Sequence, residues 1–356
     1  MKDLIVFATG GTGGHIFPAI AVANETAKEF RIAFIGSKNG MEARIIPEAG
    51  FDFYGVATGK LDRTKPNPLV LINIIRGLIS AIGILKKLKP KLVIGFGGFA
   101  SFPGVMAAKI LKIPFILDEG NAFPGRVTRW FAKSTDLLVY SYPEALKYLP
   151  EVKQSKQIAY PVREKIIDRL VARRKLNLPE QGLVSFVMGG SQGSVFLNNE
   201  VPKAFESLGS STNVLHQSGE KWQSDMKNKI ENIKNYQVVG FVDASLAWSA
   251  ADIAICRSGV GTLSEAAFYG VPCIMVPLPS SSEDHQLHNA RAFAKSGAGW
   301  VVEQKDISKL SQTWQNALDP KVLKLASTKA KERSPAGAAK QFSKIIKDLI
   351  NEKDNL

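Results

Sequence analysis

Residues 253–277 read IAICRSGVGTLSEAAFYGVPCIMVP. The short apolar run Ile253 to Cys256 ends at Arg257-Ser258-Gly259, where glycine lets the chain turn sharply. Thr262 to Tyr269 is built of helix-compatible residues. Gly270 closes it and Pro272 lies just beyond, which is a helix-stop signature. Cys273 to Val276 is a second apolar run. Strand, glycine turn, helix, strand is the repeating unit of a parallel sheet, whose strands are covered on both faces and so read as continuous apolar runs.

The same order extends outward in both directions. Leu4 to Ala8 is a strand, followed by a glycine-rich turn and a helix expected from about Phe17 to Lys28. Further strands are Ile32 to Ile35, Leu92 to Ile94, Phe115 to Leu117 and Leu137 to Val139. The pattern restarts after Pro161, with strands at Leu183 to Met188, Asn213 to His216 and Gln237 to Val239. Two successive doubly wound α/β halves account for this. The boundary falls near Tyr160–Arg163, giving domains at 1–162 and 163–337. A closing helix, about Ala338 to Asn351, carries Phe342, Ile345, Ile346, Leu349 and Ile350 on one face, which must be buried somewhere. The segment 338–356 can do so by packing back on the first domain.

The length of 356 residues suits two domains. With 46 Lys+Arg against 32 Asp+Glu, the formal net charge is +14. Nucleic acid, anionic lipid and phosphorylated substrates all fit that charge. The two cysteines, Cys256 and Cys273, exclude a disulfide scaffold and read as buried thiols. His15, His216, His285 and His288 form no metal-ligand spacing, so no metal is expected. The start, MKDLIVFATGG, lacks the pattern of a signal peptide. Leu69 to Leu85 (LVLINIIRGLISAIGIL) is the most apolar stretch. It is interrupted by Asn73 and Arg76 and is short of the roughly 20 residues that cross a bilayer. It lies among Lys60, Arg63, Lys65, Arg76, Lys86, Lys87, Lys89 and Lys91, opposed by Asp62 alone. Apolar surface ringed by bases suits an anionic membrane face, and a core helix with a solvated basic end fits equally.

Three glycine-rich turns follow strands: Gly10 to His15 (GGTGGH), Gly95 to Ser101 (GFGGFAS) and Gly189 to Ser194 (GGSQGS). Glycine allows close backbone approach, and a following helix N-terminus offers unpaired N–H groups to an anion. Thr12, Ser191 and Ser194 add hydroxyls. The second turn also fits a relaxed dinucleotide fingerprint with Asp118 downstream, but that fingerprint belongs at the first βα turn, which here reads differently. No GxxxxGK[ST] phosphate loop is present.

Glu265 is expected early in the helix after Gly259, near a strand's carboxyl end, where a carboxylate can accept from both ribose hydroxyls. Gln286 and Asn289 share a helix face three residues apart. Their amides donate and accept, which suits sugar hydroxyls.

The ordered set GGTGGHIFPA, GFGGFASFPG, DEGNAFPGRVTR, YPVR, GGSQGS, CRSGVGTLSEA and DHQLHNA resembles the motifs of the MurG family of N-acetylglucosaminyltransferases, from about residue 5 to 300. The resemblance implies a glycosyltransferase B fold, with two Rossmann-like domains facing a central cleft and no cofactor or active-site metal. It implies UDP-GlcNAc as donor and undecaprenyl-pyrophosphoryl-MurNAc-pentapeptide, lipid I, as acceptor, at the cytoplasmic face of the bacterial inner membrane. Carried over position by position, Thr12, Gly13 and Gly14 match the loop meeting the donor, Asn121 a GlcNAc contact and Arg163 a donor-binding arginine. Ser191 matches the hydroxyl on the donor phosphates and Val242 a backbone contact to uracil. Val260, Gly261, Thr262, Leu263, Ser264 and Glu265 match the nucleotide segment, with Glu265 on the ribose, and Gln286 a sugar-hydroxyl contact. The family commonly has HEQN where Asp118-Glu119-Gly120-Asn121 stands, Tyr for Phe99 and Asn for Thr128.

The chemistry implied is an inverting displacement by the acceptor hydroxyl, which needs a general base. His15 is the candidate and Glu119 the alternative. Competing readings are a UDP-GlcNAc 2-epimerase, a transferase acting on another lipid, and a nucleic-acid-binding module. No recognisable nucleic-acid motif supports the last.

Overall fold

The computed structural model describes residues 2–59, 68–208 and 212–354, apart from the side chains of Pro68, Leu69 and Ser282. Lys60, Asp62, Arg63 and Lys65 lie outside the described residues. The chain divides into two compact units, Met1–Arg163 with Gly337–Leu356, and Glu164–Ala336.

The first unit contains a seven-stranded parallel sheet. Its strands are β1 (Leu4–Ala8), β2 (Arg31–Ser37), β3 (Asp52–Val56), β4 (Leu92–Gly95), β5 (Phe115–Glu119), β6 (Leu137–Tyr140) and β7 (Ser155–Gln157), in the order β3-β2-β1-β4-β5-β6-β7. The connecting helices are α1 (Gly13–Thr26), α2 (Glu42–Glu48), α3 (Pro68–Leu88), α4 (Phe102–Ile110) and α5 (Arg126–Phe131). The central strands are wholly buried, and a separate apolar cluster covers each sheet face.

The second unit repeats the plan in six strands: β8 (Val184–Met188), β9 (Asn213–Gln217), β10 (Tyr236–Val239), β11 (Ile253–Cys256), β12 (Cys273–Met275) and β13 (Gly299–Val301). Their order is β10-β9-β8-β11-β12-β13. Its helices are α6 (Arg169–Lys175), α7 (Val195–Glu206), α8 (Gln223–Lys229), α9 (Ala244–Ala250), α10 (Val260–Tyr269), α11 (His285–Lys295), α12 (Leu310–Ala317) and α13 (Pro320–Arg333). Cys256 and Cys273 are buried free thiols on adjacent strands.

In both sheets the strand order reverses beside the first strand, between β1 and β4 and between β8 and β11. Diverging connections at such a switch point leave a crevice at the strands' carboxyl ends, where ligands of this architecture bind.

The closing helix α14 (Ala338–Asp354) buries Phe342, Ile345, Ile346, Leu349 and Ile350. These side chains join the cluster on α1's side of the first sheet, where Phe342 meets Phe96 at 5.5 Å between ring centroids. Burial of each contributes roughly 1.5–3 kcal/mol.

Two expected boundaries shift. Helix α1 begins at Gly13 rather than near Phe17, because extended Thr12 already supplies the cap position. Gly13 and Gly14 therefore form the helix's first turn. Helix α10 begins at Val260, so Glu265 is its sixth residue. Gly270 at its end is left-handed, at φ 72°, as the stop signal requires.

Helix α3 has two unlike faces. Gly77, Ala81 and Leu85 are buried, and a side chain at Gly77 would strike the Ala57 carbonyl. Leu71, Ile72, Ile75 and Ile79 point outward, Ile79 at 64% exposure and Leu71 at 61%. Lys86 and Lys87 follow in the last turn. No helix among the described residues is long and apolar enough to cross a membrane.

Candidate active site

In the first unit, the switch point joins the loop after β1 to the loop after β4. Side chains built at Gly97 and Gly98 would come within 3.1 and 3.0 Å of the His15 ring. Both glycines have positive φ, 60° and 67°, a conformation other residues adopt only at a cost. The second glycine turn is thus a seat for the imidazole. The ring itself rides on the first turn of α1, with Thr9 Oγ1 donating to the His15 carbonyl at 3.0 Å.

Glu42, wholly buried, fastens the first loop from below. Its carboxylate accepts from Gly11 N–H at 3.2 Å and Ser37 N–H at 2.9 Å. Tyr160 reaches the same loop, donating to the Gly14 carbonyl at 2.8 Å. Its ring occupies the place that a side chain at Gly120 would need, which explains glycine where the family commonly has glutamine.

Glu119 ends β5 with both oxygens engaged. It accepts from Asn121 N–H and Asn121 Nδ2 at 3.0 Å each, Gly125 N–H at 2.8 Å and Thr128 Oγ1 at 2.7 Å. Burial raises its pKa, against the pull of those four hydrogen bonds. The carboxylate shapes the loop that carries Asn121, and Thr128 supplies a donor where the family often has asparagine. Asp118 is buried beside it with Oδ1 unpartnered. Desolvation, then the Glu119 charge, hold its pKa well above the usual range. Phe99 stacks on Phe102 at 5.7 Å. Thr12 is exposed at the loop tip, and Arg163 is exposed at the end of the unit's first segment.

In the second unit, the GGSQGS turn after β8 and the Arg257-Ser258-Gly259 turn after β11 flank the switch point. Arg257 spans it. Its guanidinium donates to Ser194 Oγ at 3.0 Å and to the carbonyls of Val276 and Pro277 at 3.0 and 3.1 Å. Gln304, with its amide oriented to satisfy both groups, adds an acceptor at 2.8 Å. All these partners are neutral, and desolvation lowers the Arg257 pKa to about 10. Ser194 in turn caps α7, accepting from Leu197 N–H at 3.4 Å. A buried cation and a helix N-terminus therefore converge on the turn that exposes Ser191.

Glu265 is half-buried and accepts from Trp248 Nε1 at 3.0 Å, which fixes its carboxylate on one side. Of its segment, Val260, Leu263 and Ser264 are buried, whereas Gly261 and Thr262 are partly open. Leu263 is core packing. Gln286 Oε1 accepts from Leu278 N–H at 3.1 Å. Asn289 is buried and donates to the Ser258 carbonyl at 3.2 Å. It locks the Arg257–Gly259 turn from the same helix as Gln286, whose carbonyl accepts from Ser258 Oγ at 2.7 Å. Val242 is buried, and its N–H donates to Gln217 Oε1 at 3.2 Å.

Sequence reasoning misses Glu42, Tyr160, Arg257 and Gln217 as organisers of these loops. Arg257 lies inside the CRSGVGTLSEA motif, so a charged residue at a strand's carboxyl end was an available signal. The other three lie far along the chain from what they hold.

Residues 5–138 match the Glycosyltransferase family 28 N-terminal domain and residues 184–349 its C-terminal domain. The UDP-N-acetylglucosamine–N-acetylmuramyl-(pentapeptide) pyrophosphoryl-undecaprenol N-acetylglucosamine transferase of Deinococcus deserti is 40% identical over 98% of this chain and 99% of that protein. The protein of that name from Thermus thermophilus is 39% identical over 98% of this chain and 100% of that protein. A crystal structure of Acinetobacter baumannii MurG superposes with a TM-score of 0.80 at 27% identity, covering 97% of this chain and 99% of that one. The calicheamicin glycosyltransferase CalG4, TM-score 0.72 at 15% identity over 99% of each chain, shares the fold. The two parallel-sheet units are those of a glycosyltransferase B fold. The chain belongs to glycosyltransferase family 28 and, within it, to the MurG family of N-acetylglucosaminyltransferases.

Proposed function

We propose that this enzyme transfers GlcNAc from UDP-GlcNAc to the C4 hydroxyl of the MurNAc of lipid I, forming the β-1,4-linked disaccharide of lipid II. The observation that carries the reading is the full-length likeness to transferases of that name. The switch-point loops supply matching chemistry. The second unit, near 163–337, holds the donor, and the first, near 1–162, holds the acceptor and the base. Ser191 and the N–H groups of the GGSQGS turn take the diphosphate. Glu265 takes the ribose hydroxyls, Gln286 and Asn121 take GlcNAc hydroxyls, and Arg163 and the Thr12–Gly14 turn complete the donor contacts.

The reaction is a single displacement. The acceptor O4 attacks C1 of the α-linked sugar while the bond from C1 to the β-phosphate oxygen breaks, inverting C1. His15 accepts the proton of the attacking hydroxyl. Glu119 is the weaker base, because four donors already occupy its carboxylate. The negative charge gathering on UDP meets the α7 N-terminus and the buried Arg257 charge, both fixed in place before reaction.

The outward apolar face of α3 and the adjoining Lys86, Lys87 and Lys89 face an anionic membrane surface, where the lipid-anchored acceptor resides. The enzyme is then peripheral, on the cytoplasmic face of the inner membrane.

The test is incubation with labelled UDP-GlcNAc and a soluble lipid I analogue. Labelled disaccharide-lipid is expected. Donor binding without transfer to this acceptor would favour an epimerase or another acceptor.

A further inference from the structure

We propose that Tyr160 is a positioning residue for the transfer step: its hydroxyl replaces the helix hydrogen bond that Pro18 removes, and so holds the first turn of α1 on which His15 rides. The inference rests on the reading of His15 as the base.

Helix α1 starts weakly, for reasons its sequence supplies. The cap residue Thr12 makes no side-chain cap bond. Glycines follow at 13 and 14, and glycine loses more freedom on folding than any other residue. Pro18 lies inside the helix. In an α-helix the carbonyl of residue 14 accepts from the N–H of residue 18, and proline has none. The Gly14 carbonyl is thus deprived of its helical partner by the sequence itself. It belongs to the peptide bond that leads into His15, so looseness there passes directly to the imidazole.

Tyr160 supplies the missing donor from the far end of the unit's first segment, 146 positions along the chain, at 2.8 Å from the Gly14 carbonyl. It is 2% exposed, so little water competes for the bond. Burial, then the Asp118 and Glu119 charges, push the phenol well above its ordinary pKa, which keeps it a donor at neutral and mildly basic pH. Gly120 makes room for the ring: the first side-chain carbon there would lie 2.4 Å from Tyr160 Cε2. The glutamine common in the family at that position could not share the space, so Gly120 and Tyr160 form a paired choice of this chain.

The imidazole is therefore held from two sides. Gly97 and Gly98 seat its ring. On the main-chain side, Thr9 Oγ1 takes the His15 carbonyl and Tyr160 takes the one before it.

The experiment is a double-mutant cycle on the full chain with Tyr160→Phe and Pro18→Ala. The first substitution removes only the hydroxyl. The second restores an N–H that can donate to the Gly14 carbonyl. Two quantities are read: kcat for transfer to a soluble lipid I analogue, and amide hydrogen exchange of the peptide spanning residues 11–20, by mass spectrometry. In the parent background, Tyr160→Phe should lower kcat roughly threefold to tenfold and speed exchange of the His15 and Ile16 amides by a similar factor. In the Pro18→Ala background, the same substitution should cost less than about twofold in each. A folded Tyr160→Phe protein with parental kcat and parental exchange overturns the proposal, and this outcome does not depend on Pro18→Ala folding. An equal cost in both backgrounds also overturns it, because Tyr160 would then act other than through the Gly14 carbonyl. A parent that transfers nothing to the analogue would refute the proposed function instead, and the exchange cycle would still decide whether Tyr160 holds the turn.

Discussion

His216 should make the second unit acid-labile. It is wholly buried between Tyr236 and Asn198, and desolvation lowers its pKa from 6.5 to about 3. No charged group contributes to that shift. The neutral ring fits a one-way chain: Tyr236 donates to Nδ1, Nε2 donates to Asn198, and Asn198 donates to the Ser218 carbonyl. A histidine depressed on folding adds stability above its unfolded pKa, and that stability is lost as pH falls toward the folded value. Between about pH 7.5 and about pH 5, the unfolded chain takes up a proton that the folded chain refuses. At 1.36 kcal/mol per pH unit below 6.5, the loss is about 2 kcal/mol. His216→Gln puts an amide there that can accept from Tyr236 and donate to Asn198 in the same sense but does not titrate. Urea unfolding followed by tryptophan fluorescence reports on this unit, because Trp222, Trp248, Trp300 and Trp314 lie within it and only Trp130 lies outside. The parent's midpoint should drop between the two pH values by about 1 M more than the variant's, for a slope near 2 kcal/mol per M. Parallel pH profiles for the two proteins would refute the buried, neutral histidine.

Three further outcomes follow from the same geometry. His15→Ala should lower turnover by roughly two to four orders of magnitude while UDP-GlcNAc affinity, read by calorimetry, stays within about twofold; a variant that keeps most of its turnover removes His15 as base. Asp118 is held protonated by burial and by Glu119, so the stability it confers is present at acid pH and lost as pH rises through its raised pKa. Asp118→Asn should therefore gain thermal stability over the parent at about pH 8 and gain less at about pH 4, whereas an equal difference at both pH values would contradict that ionisation. Replacing Lys86, Lys87 and Lys89 with glutamine should weaken sedimentation with anionic vesicles by roughly a hundredfold, at about 1 kcal/mol per lysine, and unchanged partitioning would remove the basic end of α3 from membrane contact.

The sequence carried the central strands because burial on both faces leaves β1, β4, β8 and β11 apolar apart from Ser185 of β8. It did not carry the edges. Strand β7, Ser155–Gln157, is polar and exposed throughout and has no apolar run to read, whereas β3 (DFYGV) and β13 (GWV) are only partly buried and their short runs are broken or bounded by glycine. The face of α14 was legible, but its partner was not, since periodicity says what must be buried and not where. The motif glycines were legible as turns. Their division of labour was not, because it depends on contacts across the sheet: Gly97 and Gly98 seat His15, whereas the Gly190 carbonyl accepts from Gln217 Nε2. Tyr160 and Gly14 are separated by 146 positions, and Glu42 and Gly11 by 31. Such pairs leave no local pattern. Asn289 lies three residues from Gln286 on α11, as the spacing expects, but periodicity does not tell that its Nδ2 is spent on the Ser258 carbonyl.

The most direct test of the account is to incubate the full chain with UDP-GlcNAc, a soluble lipid I analogue and excess EDTA, and to follow UDP release together with the anomeric configuration of the product. The account predicts UDP release that depends on the acceptor, persists in EDTA and yields one β-1,4-linked disaccharide for each UDP. An α-linked product, a requirement for added divalent metal, or UDP and an epimerised sugar formed without acceptor would contradict it.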